Sequence, residues 1–304
     1  MSKRRVCLVG YGSIGSVHAE AYRQHEDVLL SIVELDPVKR KQAASGHTTT
    51  YDSLDVALKY DHDLYDVCLP THLHKPIVTQ ILTQTNAVVL CEKPLGMNAH
   101  EVREMQVLQN ANRRLLCALV ERFNQPFSSI KAWTSKCQGP YEMTFVRRTK
   151  KPLAAAWFGH PELGGDIVLD LAIHDIDLAL WYVSASIISV RRQSSDNNSE
   201  AFLLGFKDGS TAHITSVWDL PNNHSAGIEN HVLLKSNGGS IAYDSTKEEL
   251  SYDVLENMTP RFPAAYYAEI NAALAYVSGA PNLFPDLTTV LAGLEIFDKV
   301  KEAR

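Results

Sequence analysis

The sequence predicts an α/β protein in which an N-terminal doubly wound parallel sheet is followed by a C-terminal α+β domain with a large, mostly antiparallel open sheet. Three observations predict it. Short apolar runs alternate with helix-compatible stretches up to residue 120, consecutive strands broken by turn residues follow, and 304 residues at 45% hydrophobic content exceed what one core usually holds. The expected division is 1–120 and 121–304.

The first strand is the apolar run within VCLVGYGSIG (6–15), and it passes directly into Gly10-Tyr11-Gly12-Ser13-Ile14-Gly15 and the helix-compatible SVHAEAYRQH. Strand, G-x-G-x-x-G and helix in that order mark the dinucleotide-binding turn of a Rossmann domain. Gly10 permits a tight turn, Gly12 leaves the backbone open to a diphosphate, and Gly15 lets the helix pack close to the strand. Ser13 and Ile14 begin a helix whose N-terminal N–H groups favour an anion. VLLSIV (28–33) reads as a second buried strand ending at Glu34. An acid there accepts hydrogen bonds from ribose hydroxyls and repels a 2′-phosphate, so NAD is favoured over NADP, although Lys39, Arg40 and Lys41 follow closely.

TTTY and DSLDVALKY (48–60) then suggest a short strand and a helix, and LYDVCLP (64–70) a strand ending at Pro70 and Thr71. HLHKPIVTQILTQ reads as a helix, AVVLCEKP as a strand, NAHEVREMQVLQNANRR as a long helix and LLCALV as a further strand. In such sheets ligands bind at the C-terminal strand ends, where Glu34, Pro70, Thr71, His74, Glu92 and Lys93 all fall. Beyond residue 120, PFSSIKAWTSK suggests a helix, YEMTFVRRTK (141–150) a strand, KPLAAAWFGHPELGG a loop and 166–182 a helix. Five strands follow, IISVRRQ, AFLLGFK, STAHITSVW, NHVLLKS and SIAYD, with turn chemistry between them. Two helical patterns, 263–278 and 286–302, close the chain.

A net charge of -6 offers no footprint for nucleic acid or anionic membrane, which leaves a small molecule as the expected partner. The N-terminal MSKRR precedes too short an apolar run for a signal peptide, and no run approaches the ~18 residues of a membrane span, so a cytoplasmic protein is expected. The five cysteines form no C-x-x-C pair; buried free thiols are expected, with no disulfide and no metal site. Alternation in STAHITSVW and AFLLGF leaves apolar side chains on both faces of the second sheet, which predicts a homodimer or homotetramer packed through it.

Two groups of residues carry chemistry. Cys91-Glu92-Lys93-Pro94 ends a buried strand at the cofactor rim, where a partly desolvated lysine can move a proton or polarise an oxygen; its Lys-Pro bond is a candidate for cis geometry. On DIVLDLAIHDIDLALWY (166–182), Asp166, Asp170, His174 and Asp177 recur at intervals of four, four and three and form one polar stripe on an apolar helix. A stripe of Asp and His, without Lys, Glu or Gln, fits a cleft better than a solvent face, and Asp170 one turn before His174 would orient the imidazole. Arg147, Arg148, Lys150 and Lys151 are candidate anion contacts, but alternation sends Arg147 and Arg148 to opposite faces.

Taken together these motifs resemble the Gfo/Idh/MocA family of inositol dehydrogenase and glucose-fructose oxidoreductase, collinearly over essentially the whole chain. They read here Gly10 to Gly15, Thr71-His72-Leu73-His74, Glu92-Lys93-Pro94, Arg122-Phe123-Asn124 and Asp170 to His174. The resemblance implies that Lys93 and His174 work on a substrate hydroxyl, that Asp170 assists, and that Arg122 and Asp177 touch a polyol. It also implies an NAD(P)-dependent oxidation of a secondary alcohol on a cyclic polyol or sugar, with either Lys93 or His174 as the base. The chain is short for the family, so insertions that shape large substrate pockets are not expected. Two alternatives stand beside this: a non-catalytic NAD(P)-sensing regulator of the same fold, and a reductase of the biliverdin-reductase kind.

Overall fold

The structure is a computed structural model that describes residues 3–109, 114–152, 157, 160–164, 166–224, 227–247, 249–252 and 262–302. Parts of the expected loop at 151–165, residues 110–113 of the expected long helix and residue 225 of the PNNHS turn lie outside the described residues. The chain divides into two compact units, Met1–Val120 with Phe262–Val290, and Glu121–Arg261 with Leu291–Arg304.

The first unit opens with β1 (Arg4–Val9), α1 (Ser13–Arg23), β2 (Val28–Val33), α2 (Pro37–Ala43), β3 (Thr49–Tyr51) and α3 (Leu54–Ala57). It continues with β4 (Leu64–Val67), a 3₁₀ turn (Thr71–Leu73), α4 (His74–Gln84), β5 (Val88–Glu92), α5 (Ala99–Leu108) and β6 (Leu115–Ala118). The six strands form one parallel sheet in the order β3-β2-β1-β4-β5-β6. Its central strands are covered on both faces, which is why they read as unbroken apolar runs: Val6, Cys7, Leu8, Leu64, Val67, Val89 and Leu90 are fully buried. The order reverses between β1 and β4, the point at which sheets of this kind bind ligands.

The second unit holds α6 (Gln125–Thr134), β7 (Glu142–Lys150), a π-helical stretch (Val168–Ala172), α7 (Ile173–Tyr182), β8 (Ile187–Ser195) and β9 (Ser199–Phe206). Its remaining strands are β10 (Thr211–Leu220), β11 (Ile228–Ser236), β12 (Gly239–Asp244) and β13 (Glu249–Tyr252). The seven strands pair in the order β13-β12-β11-β7-β10-β9-β8, antiparallel throughout except for β7 beside β10. Strand alternation separates the two faces. Phe145, Phe202, Leu204, Ile214, Val232 and Ile241 are buried, while Val146, Leu203, Val217 and Leu233 on the other face are half-buried.

The chain closes with α8 (Phe262–Val277), which belongs to the first unit, and α9 (Leu287–Glu302), which begins in the first unit and ends in the second. The expected helix over 166–182 is divided: its first part winds as π-helix and its second as α-helix, a local widening frequent at functional sites. No helix among the described residues is long and apolar enough to cross a membrane. All five cysteines are free thiols.

Candidate active site

In the first unit the sequence-derived candidates gather at the C-terminal ends of β1, β2, β4 and β5. Gly10 has φ +98°, and a Cβ placed on it would lie 2.5 Å from the Cys68 carbonyl oxygen. A Cβ on Gly15 would collide with the Gly10 carbonyl oxygen, whereas a Cβ on Gly12 meets nothing within 4 Å. Gly10 and Gly15 are thus glycines for the protein's own packing, and Gly12 keeps open the space in front of α1. That helix has Gly12 at its N-cap, with no capping side chain and no acid in its first turn, so its leading N–H groups are left for an anion.

The Glu34 carboxylate is fixed beside this turn. Its Oε2 accepts from the Tyr11 N–H at 2.9 Å and its Oε1 from the Asp36 N–H at 2.9 Å. Arg40 is held by the same strand end, donating through Nη1 to the Glu34 carbonyl at 2.7 Å and the Leu35 carbonyl at 3.0 Å. The turn, the unobstructed helix end and the carboxylate at the tip of β2 fit a dinucleotide with free ribose hydroxyls.

At the next strand ends, Pro70 leads into the 3₁₀ turn with Thr71 fully buried. His74 is also fully buried, with Nδ1 2.8 Å from the Pro94 carbonyl oxygen and Nε2 2.7 Å from that of Leu69. It therefore ties the end of β4 to the end of β5, and burial pushes its imidazole below the usual range. The Lys93–Pro94 bond is cis. Glu92 is 8% exposed and accepts the Lys93 N–H on Oε2 at 3.1 Å, which folds the turn around its own carboxylate.

In the second unit Arg122 and Asp177 meet as a bidentate pair, Nε to Oδ2 at 2.8 Å and Nη2 to Oδ1 at 2.7 Å. Burial holds the Asp177 carboxyl above its usual range despite the opposing guanidinium. The Arg122 guanidinium also stands 5.3 Å from the Trp181 ring centre. Lys131 donates to the Trp181 carbonyl at 2.6 Å, and burial, with Arg122 nearby, draws its amine below the usual range. Asp170 lies in the π-helical stretch and His174 in the first turn of α7, both half-buried.

Two members of the polar helix have structural duties that the spacing alone does not reveal. Asp166 caps the π-helical stretch, accepting from the N–H groups of Val168 and Leu169 at 3.0 and 3.1 Å, and lies 3.6 Å from the Lys301 amine. Asp175 pairs with Arg147, which is 1% exposed and also donates to Glu121 Oε1 at 2.6 Å. Arg147 is thereby spent inside the unit, and Arg148 is engaged by Asp219 and Glu229, so neither is left to receive an anion.

Three residues of a further cluster escaped the sequence reading: His18, Asp66 and Glu269, all fully buried. A signal existed, since Asp66 interrupts an apolar strand and Glu269 an apolar helix. Among the described residues, His18–Asp66–Cys68 and His18–Glu92–Glu269 each bring three metal-capable atoms within 4.8 Å of one another. A separate cavity of about 690 Å³ is lined by Arg5, Tyr60, Asp63, Thr85 and their neighbours at the N-terminal strand ends, remote from every candidate residue of the first unit.

Comparison with known proteins agrees with this geometry. A family model described as "Oxidoreductase family, NAD-binding Rossmann fold" matches residues 4–119, and one described as "GFO/IDH/MocA C-terminal domain" matches 140–241. Inositol 2-dehydrogenase of Rhizobium meliloti is 23% identical over 322 residues, covering 97% of this chain and 94% of its own. Among solved structures, a myo-inositol dehydrogenase from Corynebacterium glutamicum superposes with TM-score 0.84 at 20% identity, covering 99% of this chain and 96% of that one. Levoglucosan dehydrogenase, solved in complex with NADH and levoglucosan, gives TM-score 0.83 at 17% identity, over 99% and 97% of the two chains.

Proposed function

Because the chain belongs to the Gfo/Idh/MocA oxidoreductase family, we propose that it is an NAD-dependent dehydrogenase acting on a secondary alcohol of a cyclic polyol or sugar. The observation that carries the cofactor assignment is the Glu34 carboxylate, hydrogen-bonded to the backbone of the glycine turn whose open position is Gly12. Bound NAD supplies the acceptor for a hydride. Gly12, Ser13 and Ile14 hold the diphosphate on a turn that Gly10 and Gly15 shape, Glu34 holds the ribose hydroxyls, and Pro70, Thr71, Glu92 and Lys93 the rim; His74 serves that rim by tying its two strand ends together.

Lys93 and His174 handle the proton of the substrate hydroxyl, one accepting it and the other steadying the oxygen as negative charge develops there. Asp170 orients His174, and Arg122 and Asp177 present polar groups to the remaining hydroxyls. The half-buried face carrying Val146, Leu203, Val217 and Leu233 packs against a second copy, giving a dimer or a dimer of dimers in the cytoplasm.

The test is formation of NADH fluorescence at substoichiometric protein across a panel of inositols and sugars. Repeated turnover with at least one of them supports the assignment. Stoichiometric NAD binding with no turnover on the whole panel overturns it in favour of a sensor. Size exclusion giving only a monomer at micromolar concentration would remove the assembly.

A further inference from the structure

Beneath the Glu92–Lys93–Pro94 turn lies a closed group of ionisable side chains from four elements of the first unit. His18 of α1 stands between two carboxylates, with Nδ1 2.8 Å from Asp66 Oδ2 on β4 and Nε2 3.4 Å from Glu92 Oε1 on β5. Tyr22 donates to Asp66 Oδ2 at 2.9 Å, and the Cys68 thiol lies 3.5 Å from Asp66 Oδ1. From α8, the Tyr266 ring sits 5.5 Å from the imidazole, and Glu269 comes within 4.8 Å of both His18 and Glu92. Four buried atoms here lack an aligned hydrogen bond: His18 Nε2, Glu92 Oε1 and both carboxyl oxygens of Glu269.

We propose that His18 and Glu269 are positioning residues for Lys93, acting through the Glu92 carboxylate. This rests on the reading of Lys93 as a proton-handling residue. Glu92 has two oxygens with two tasks: Oε2 holds the Lys93 N–H, and Oε1 turns inward to His18 and Glu269. The inward grip therefore sets the outward one.

Charge balance defines how the grip works. Three carboxyl groups around one imidazole, shut off from water, cannot all carry charge without an unpaired buried anion. Burial, and next the negative charges of Glu92 and Asp66, push the Glu269 carboxyl well above its usual range, so it keeps its proton and offers an O–H toward Glu92 Oε1. Burial alone would lower His18, but the Asp66 carboxylate beside it lifts it well above the usual imidazole range. Burial also pushes the Cys68 thiol up and keeps it neutral, so Asp66 is the partner that holds the imidazolium. A divalent cation held by His18, Glu92 and Glu269 is the rival arrangement.

The test compares His18→Gln, Glu269→Ala and Glu269→Gln in the full chain by kcat, by NAD affinity and by trace acetylation of Lys93 with acetic anhydride read by mass spectrometry. We expect His18→Gln and Glu269→Ala to lower kcat by about tenfold or more and to change the Lys93 acetylation rate at least about threefold, with NAD affinity within about threefold. Glu269→Gln should restore both readouts, because an amide N–H replaces the carboxyl O–H. Wild-type kcat and Lys93 acetylation in a folded, NAD-binding His18→Gln protein would overturn the proposal. Failure of Glu269→Gln to rescue, or a stoichiometric divalent metal that survives dialysis against a chelator, would also overturn it. Should His18→Gln not fold, the two Glu269 variants decide alone. If no polyol is turned over, the functional reading fails while Lys93 acetylation still decides whether His18 and Glu269 position Lys93.

Discussion

Arg122 and Asp177 lock each other through two parallel hydrogen bonds of 2.8 and 2.7 Å, with side-chain exposures of only 9% and 6%. The pair places a planar guanidinium over Trp181 in one fixed orientation. Removing the acid leaves the cation buried without its partner, which typically costs about 3–5 kcal/mol. Asp177→Asn should lower the urea midpoint by a corresponding amount at unchanged m-value. A shift too small to correspond to about 1 kcal/mol would show that water or another acid compensates Arg122.

The glycine turn separates folding from binding. At Gly12 an added Cβ has room, so Gly12→Ala should keep the melting temperature within about 3 °C while weakening NAD at least about tenfold. At Gly10 a positive φ and the nearby Cys68 carbonyl make the same substitution a folding defect of more than about 1 kcal/mol. Thermal melts paired with NADH fluorescence titration distinguish the two. Equal loss of stability in both variants would contradict this division.

Glu34 is the residue on which cofactor choice turns. Glu34→Ser removes the charge facing a 2′-phosphate and should raise the ratio of NADP to NAD affinity by about tenfold or more. Arg40 adds little to this gain, because it already donates to two backbone carbonyls. Titrations of the two oxidised cofactors check the ratio, and an unchanged ratio would place discrimination elsewhere.

Proton handling predicts a kinetic signature at two positions. Lys93→Ala and His174→Ala should each lower kcat by about 10²–10⁴, with NAD affinity within about twofold for His174→Ala. Either variant turning over at the wild-type rate would remove that residue from the mechanism.

The buried cluster predicts a pH dependence of stability. Glu269 is held well above its usual range by burial and by Glu92 and Asp66, so the folded chain keeps a proton that the unfolded chain releases above about pH 4.3. Its contribution therefore declines as pH rises from there toward the folded-state value. His18 has the same sign: its contribution is complete below the unfolded value of about 6.5 and is lost as pH climbs through the raised folded value. Glu269→Gln should flatten the fall in melting temperature between about pH 5 and 8 and melt higher than wild type at the upper end. Scanning calorimetry across that range checks the slope, and parallel curves for the two proteins would contradict the assignment.

What was readable in the residues was what repeats or stands at a strand end. The mostly apolar runs at 6–9, 28–33 and 64–67 read as strands of a sheet covered on both faces, and Gly10 to Gly15 and Glu34 stand where such strands stop. The second sheet was legible for a related reason, strands such as β9 and β11 alternating between a packed and a half-buried face. Pairings between distant segments were not legible. That Asp175 would neutralise Arg147, or that Asp166 would cap its own helix, follows from tertiary contacts which an interval of three or four residues does not encode. The π-helical turn was hidden likewise, because Val168–Ala172 has the composition of any apolar α-helix. The second crossing between the units, at residues 261 and 262, carries no change of composition, and Glu269 went unnoticed with it.

The return of α8 to the first unit bears on how the protein can be made. During synthesis the parallel sheet is finished long before the ribosome delivers Tyr266 and Glu269, so until then His18 of α1 and the neighbouring Asp66 of β4 have no lid against water. An amino-terminal fragment ending at residue 120 is consequently an incomplete body and not a portable nucleotide-binding module. Grafting or expressing that half alone calls for the 262–290 segment to be supplied with it, as a tethered or separately added peptide.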